Sequence, residues 1–164
     1  MEECYRNNVV EFSTIYLENK VGWPDDLENE FTHSEFTYYI YNQLFNIDIN
    51  QFGYGLDSST MQMTNNIGDL KKYKEDDPKK DHYLEDIKVG DLVFFHTEAL
   101  DTNSPTPSNR YPGHVGVYIG DKKFIHASPT QEKITIDKIE DKWLKCLVAS
   151  RDIIKEIVTK DLNR

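Results

Sequence analysis

The order of hydrophobic periods along the chain is the feature that most restricts its fold. In the first third, apolar residues recur at helical spacing over residues 9–17 and again over 36–47. In the second half the pattern changes to short runs rich in Val, Ile and aromatic residues, which are typical of β-strands. Helices followed by closely connected strands predict an α+β domain, with N-terminal helices packed on an antiparallel sheet of about five strands.

The boundaries of these elements follow from local signals. Thr32 followed by Glu35 fits a capping box, which predicts a helix running to about Asn46 with His33 at its first position. Turn residues separate the predicted strands, which cover residues 92–95, 114–120, 122–128, 133–139 and 145–154. Three further segments are predicted as a short helix (58–65), a solvated charged connector (71–88) and a long loop (96–113).

Composition limits the class of protein. The chain has 164 residues, with 29 acidic and 19 basic side chains and a net charge of −10. This length suits a single domain over residues 1–164, and the acidic balance argues against nucleic acid as a partner. We expect no membrane span, because no apolar stretch approaches 18 residues. The first residues lack the features of a signal peptide, so a native Met1 would indicate a cytoplasmic protein.

Two cysteines, Cys4 and Cys146, are too few for a disulfide framework or a four-cysteine zinc site. Cys146 is predicted to be a small buried residue in the last strand, and Cys4 lies close to the N-terminus. We expect neither a resident metal ion nor a cofactor.

Three histidines occupy informative positions. His114 and His126 lie on strands joined by a tight turn, so the two side chains are expected to be neighbours. His33 opens a helix, where the dipole favours an anion such as a thiolate and disfavours an imidazolium. Two other interpretations of these histidines stay open. They can be buried residues with satisfied hydrogen bonds, or they can form a zinc site. His82 and His96 are predicted to be surface residues.

Several motifs together resemble the NlpC-type papain-like cell-wall peptidases. These are GDLVFF (90–95), HVGVYIG (114–120) and FIHAS (124–128), preceded by EFTHSEF (30–36) and SSTMQMTNN (58–66). The resemblance covers about residues 9–154 and leaves 155–164 as a tail. It implies a papain-like fold, with His114 as the catalytic base, His126 as the third residue that orients it, and Asp91 in a structural role. It also places three residues at a ligand-binding cleft, namely Trp23, Ser34 and Gly113.

The nucleophile position departs from that family pattern. Aligning THSEF on the family's DCSGF places His33 where the catalytic cysteine belongs. One hypothesis is a catalytically impaired relative that binds a peptide, a peptidoglycan-like ligand or a protein partner. The alternative is an active peptide or amide hydrolase acting on cell-wall stem peptides, with a His-activated water or Cys4 as nucleophile. A His-rich metal site is a third hypothesis, and the resemblance implies a cell-envelope or secreted location.

Overall fold

An antiparallel sheet forms the centre of the computed structural model, which describes residues 1–19, 33–47, 69–74, 77–96, 112–128 and 130–162. Within these residues the sheet has six strands, β1 (Asp69–Lys72), β2 (Leu92–His96), β3 (Pro112–Gly120), β4 (Lys123–Ser128), β5 (Lys133–Lys138) and β6 (Leu147–Asp152). The described helices are α1 (Glu2–Thr14), α2 (His33–Phe45), α3 (Lys142–Cys146) and α4 (Ile154–Leu162), with a 3₁₀-helix, η1 (Lys80–Asp86). The predicted α+β class is confirmed, with one more strand than expected.

The strand order is β1-β6-β2-β3-β4-β5, and every pairing is antiparallel. The GDLVFF motif supplies the central strand β2, which pairs with β3 on one side and β6 on the other. Residues 92–95 of this strand are completely buried. Such a continuous apolar run is what a strand needs when both faces of the sheet are covered.

Each face of the sheet carries its own apolar cluster. Helices α1, α2 and α4 cover the first face, where their side chains meet those of the strands, namely Val9, Phe36, Ile40, Tyr41, Ile154, Ile157, Leu92, Phe94, Val115, Val117, Ile125 and Ile134. Helices η1 and α3 cover the second face, which contains Leu84, Ile87, Val93, Phe95, Tyr118, Phe124, Ile139, Cys146 and Leu147. Alternate residues of β2, β3 and β4 therefore face opposite layers.

The charged segment 71–88 was wrongly predicted as a solvated connector. Its first residues belong to β1, which pairs with β6, and η1 follows. Leu84 and Ile87 are buried, and the buried Lys80 ammonium donates a hydrogen bond to the Lys145 carbonyl at 2.6 Å. The many lysines and acids of this segment conceal the few apolar residues that attach it to the core.

Other boundaries also differ from the prediction. Residues 145–154 do not form one strand, because Cys146 ends α3 and β6 stops at Asp152. The predicted tail contains α4, in which Ile157 and Val158 are buried. His96 was expected at the surface but is buried at the end of β2, whereas His82 is exposed as predicted. The predicted helix 58–65 and residues 97–111 of the predicted loop lie outside the described residues.

A buried arginine connects the N-terminal helix to the sheet. Arg6 of α1 is 7 % exposed, and its guanidinium donates to the Val89 carbonyl and the Asp91 carboxylate at 3.0 and 2.9 Å. It also pairs with Glu2 at 2.7 Å and with Asp152 at the end of β6 at 2.9 Å. The structural role predicted for Asp91 is consistent with these contacts, and Asp91 Oδ2 also accepts the Lys88 N–H.

We predict that Asp91 makes stability depend on pH in an unusual direction. Burial raises the pKa of Asp91 to about 7, and the neighbouring Asp152 carboxylate raises it as well, although the Lys88 N–H and Arg6 act in the opposite direction. A folded-state pKa above the unfolded value stabilises the protein fully below about pH 4, and this contribution is lost as the pH rises toward 7. Asp91→Asn should therefore remove a decline in unfolding free energy on the order of 1–3 kcal/mol between pH 4 and 7.

Urea unfolding at a series of pH values measures this difference between Asp91→Asn and the wild type. Glu85→Gln removes an exposed carboxylate and serves as the charge-matched control. Parallel pH profiles for the wild type and Asp91→Asn would show that Asp91 does not titrate in this range.

Gly116 of β3 is required by the close approach of β4. A Cβ atom at this position would lie 2.6 Å from Phe124 Cδ2, 3.0 Å from the Ile125 carbonyl oxygen and 3.2 Å from His126 Cβ. We expect Gly116→Ala to lower the free energy of unfolding by about 1–3 kcal/mol, because neither backbone nor ring can move freely in a packed interior. Denaturant unfolding tests this expectation, and wild-type stability in the variant would contradict it.

Candidate active site

His114 and His126 meet across the β3–β4 pair. Register pairs Val117 with Ile125, so His126 lies opposite the small Gly116 and diagonal to His114. The absence of a side chain on Gly116 leaves space for the two imidazoles. His114 Nε2 and His126 Nδ1 are 2.7 Å apart, and both residues are completely buried. The predicted proximity of the two histidines is therefore present in the structure.

Asp137 of β5 extends this pair into a chain of three side chains. Its Oδ2 lies 2.7 Å from His126 Nε2, on the far side of the ring from His114. The Asp137 side chain keeps 27 % of its surface exposed, so the chain leads from two buried rings toward solvent. The sequence motifs gave no indication of Asp137. The alternation of KITIDK places it on the face of β5 opposite Ile134 and Ile136, which is the signal that could have identified it.

Aromatic rings surround the histidine pair on the second face of the sheet. Phe124 stacks on His126 at a centroid distance of 4.3 Å, and Phe95 lies 6.4 Å from His114. Trp143 of α3 contacts both imidazoles, at 5.7 Å from His114 and 5.2 Å from His126. These rings exclude water from the pair, which strengthens its hydrogen bonds and penalises charge on the rings. Trp143 was not among the predicted site residues, since α3 itself was not foreseen.

The surroundings of the chain favour an uncharged His126 ring beside an ionised Asp137 carboxylate. Burial lowers the pKa of His126, despite the neighbouring carboxylate. The hydrogen bond from His126 lowers the pKa of Asp137. At neutral pH, His126 is therefore an uncharged imidazole and Asp137 a carboxylate. A histidine that is hydrogen-bonded to such a neutral ring, as His114 is, is chemically suited to accept a proton, which is the requirement for a general base.

The helix predicted to begin at His33 is present as α2. The helix begins at His33 and packs against β3 and β4 on the first face of the sheet. The side chains of His33 and Ser34, together with Trp23, lie outside the described part of the structure. Gly113 belongs to β3 and immediately precedes His114.

Neither cysteine occupies the start of α2. Cys4 is exposed on α1, and Cys146 is buried in the second apolar cluster at the end of α3. The predicted burial of Cys146 is confirmed, whereas its predicted place in a strand is wrong.

The geometry of the histidine pair is that of a hydrogen bond. Two nitrogens that bind one tetrahedral zinc ion are separated by about 3.3 Å, because each lies about 2.0–2.1 Å from the metal. His114 Nε2 and His126 Nδ1 are closer than this and point at each other. Among the described residues, no group of three or more His, Cys, Asp or Glu side chains is arranged to hold a metal ion.

Comparison with known proteins gives consistent matches. Residues 22–152 match the NlpC/P60 family. The chain is 37 % identical over 70 residues to the murein DD-endopeptidase MepH of Escherichia coli K12, covering 42 % of this chain and 22 % of that protein. It is 39 % identical over 70 residues to the probable endopeptidase NlpC homolog of Haemophilus influenzae, covering 42 % of this chain and 30 % of that one. The matched segments thus span less than a third of these relatives.

A solved structure extends the likeness over nearly the whole chain. The crystal structure of the NlpC/p60 domain of the peptidoglycan hydrolase SagA superposes with a TM-score of 0.61, covering 90 % of this chain and 98 % of that one at 18 % identity. At this identity the superposition establishes the fold. None of the helices in the described ranges is both long and apolar enough to cross a membrane. Since the family match covers most of the chain, and the GDLVFF, HVGVYIG and FIHAS motifs form the three adjacent strands of that papain-like fold, this chain belongs to the NlpC/P60 family.

Proposed function

We propose that this NlpC/P60 domain is a catalytically impaired relative that binds a stem-type peptide of peptidoglycan without cleaving it through a cysteine. The observation that carries the proposal is the absence of a cysteine at the start of α2. His33 stands there, while Cys4 is exposed on α1 and Cys146 is buried against the other face of the sheet.

The chemistry of the helix start supports a loss of acyl transfer. A thiolate at a helix N-terminus is stabilised by the helix dipole and attacks an amide carbonyl readily. An imidazole in the same place is held in its neutral form by that dipole, and it is a much weaker nucleophile toward an amide. The substitution of histidine for cysteine therefore removes the reacting atom and leaves the helix.

The remaining polar groups support binding of a peptide. His114 and His126 are buried and hydrogen-bonded to each other, so a ligand beside them meets fixed dipoles in a site of low dielectric. The names of the matched relatives point to murein and peptidoglycan peptides as the chemical class. The Pro-containing segment 97–111 connects β2 to β3 next to His114 in the chain, although its structure lies outside the described residues.

A second candidate function is hydrolysis with a different nucleophile. The intact hydrogen-bonded chain of His114, His126 and Asp137 favours it, because this arrangement can activate a water molecule as a general base. The substrate class is the same, so one set of experiments separates the two candidates. Recognition of a protein partner in place of a stem peptide is a further outcome of the binding experiment.

We expect His33→Cys to create amide hydrolysis that the wild type lacks. Muropeptides are incubated with each protein, and products are quantified by liquid chromatography and mass spectrometry. His33→Cys should exceed the wild type by at least about 10²-fold, and adding His114→Ala should remove most of that gain, because the thiol then lacks its base.

His82→Cys provides the matched control, because it places a thiol at an exposed histidine on η1. This variant should stay inactive. If the wild type cleaves muropeptides and His114→Ala does not, the proposal of a catalytically impaired relative is wrong, and hydrolysis with a different nucleophile is favoured.

Binding without turnover is a separate prediction. Isothermal titration of the wild type with purified stem peptides should give a Kd below about 1 mM, which corresponds to about −4 kcal/mol. The peptides should be recovered intact afterwards. Failure to bind any stem peptide at this level would contradict the proposed ligand class and would direct attention to a protein partner.

A further inference from the structure

We infer that Asp137 is a positioning residue that fixes the tautomers of both histidines, so that the lone pair of His114 lies on Nδ1. The inference goes beyond the proposed function, because it describes the state of the site whether a ligand is bound, cleaved or absent. It starts from the two hydrogen bonds of 2.7 Å that link Asp137 to His126 and His126 to His114.

The direction of the first hydrogen bond is set by the carboxylate. An ionised carboxylate can only accept hydrogen bonds, whereas each nitrogen of a neutral imidazole either donates or accepts. Asp137 Oδ2 faces His126 Nε2 at 2.7 Å, so Nε2 must carry the proton. His126 is thereby restricted to the Nε2–H tautomer.

The second hydrogen bond then has only one possible direction. With its proton on Nε2, the neutral His126 ring offers an unprotonated Nδ1 toward His114. His114 Nε2 lies 2.7 Å from that atom and must donate to it. A neutral His114 consequently has its proton on Nε2 and its lone pair on Nδ1.

The surroundings of the chain favour an uncharged His126 ring. Both imidazoles are fully buried among Phe95, Phe124 and Trp143, none of which can supply or remove charge. Among the described residues, Lys142 at the start of α3 favours the ionised form of the Asp137 carboxylate. Burial lowers the pKa of His126, which disfavours the doubly protonated ring, whose Nδ1–H would donate to His114 and reverse the second hydrogen bond.

The arrangement has a consequence for the neighbouring site. In this state His114 Nδ1 is a hydrogen-bond acceptor, the kind of group that receives a peptide N–H or an acidic proton. If His114 takes up a proton there, the resulting imidazolium still donates through Nε2 to His126. His126 in turn still donates to the negatively charged Asp137 at the far end of the chain. Asp137 needs no proton transfer to fulfil this role.

Long-range ¹H–¹⁵N correlation spectra of the histidine side chains test the inference directly. In the wild type at pH 7.5, the rings of His114 and His126 should each show a single Nε2–H tautomer. Asp137→Ala should abolish that single state in His126 and alter the spectrum of His114. Glu140→Gln removes an exposed carboxylate from the neighbouring turn and should leave both rings unchanged.

A kinetic measurement in the His33→Cys background adds a second readout. There, Asp137→Ala should lower kcat for amide hydrolysis about 10–10²-fold, with KM little changed, since a wrongly protonated His114 cannot accept the thiol proton. Asp137→Glu keeps an acceptor-only carboxylate and should recover part of the rate.

The outcomes separate this inference from the proposed function. An Nδ1–H tautomer or a tautomer mixture on either wild-type ring would overturn the inference, as would unchanged ring spectra in Asp137→Ala. The wild-type spectrum decides the tautomers even if Asp137→Ala does not fold. An inactive His33→Cys variant would count against the proposed function alone, because the spectra do not depend on turnover.

Discussion

A buried guanidinium is the interaction on which the arrangement of layers depends. Arg6 brings a permanent positive charge into the interface between α1 and the sheet, where it must be paired to be tolerated. Its partners lie at the turn before β2 and at the end of β6, and the Tyr41 hydroxyl of α2 donates to the Gly90 carbonyl in the same turn. Helices α1 and α2 of the first face are thus attached at one point of the central sheet.

The histidine pair of the candidate site lies on the opposite face of the sheet, where a different set of residues holds it in place. His114 and His126 project toward α3, where Trp143 and the two phenylalanines Phe95 and Phe124 enclose them. Helix α2 packs on the other face through residues further along the helix, including Phe36 and Ile40. The histidine pair and helix α2 therefore lie in different layers, and the strands β3 and β4 are the elements that both layers share.

The sequence allowed the strands and the histidine pair to be predicted, because both depend on local patterns. Alternation and turn residues locate β2 to β5, and a tight turn between β3 and β4 makes neighbours of His114 and His126. The partners of Arg6, and the contact of Asp137 with His126, join segments whose pairing no local pattern encodes. The same applies to β1 and η1, where a few apolar residues among many charges decide the structure.

The separation of the two layers makes the packing of α2 and the support of the histidine pair largely independent. Mutations at sites that share no partners have nearly independent effects on stability. The contacts that hold α2 involve Phe36, Ile40 and Tyr41, whereas those that hold the base come from β5 and α3. The hydrogen-bonded chain of His114, His126 and Asp137 therefore does not depend on the packing of Phe36, Ile40 and Tyr41, and a change in one set of contacts leaves the other in place.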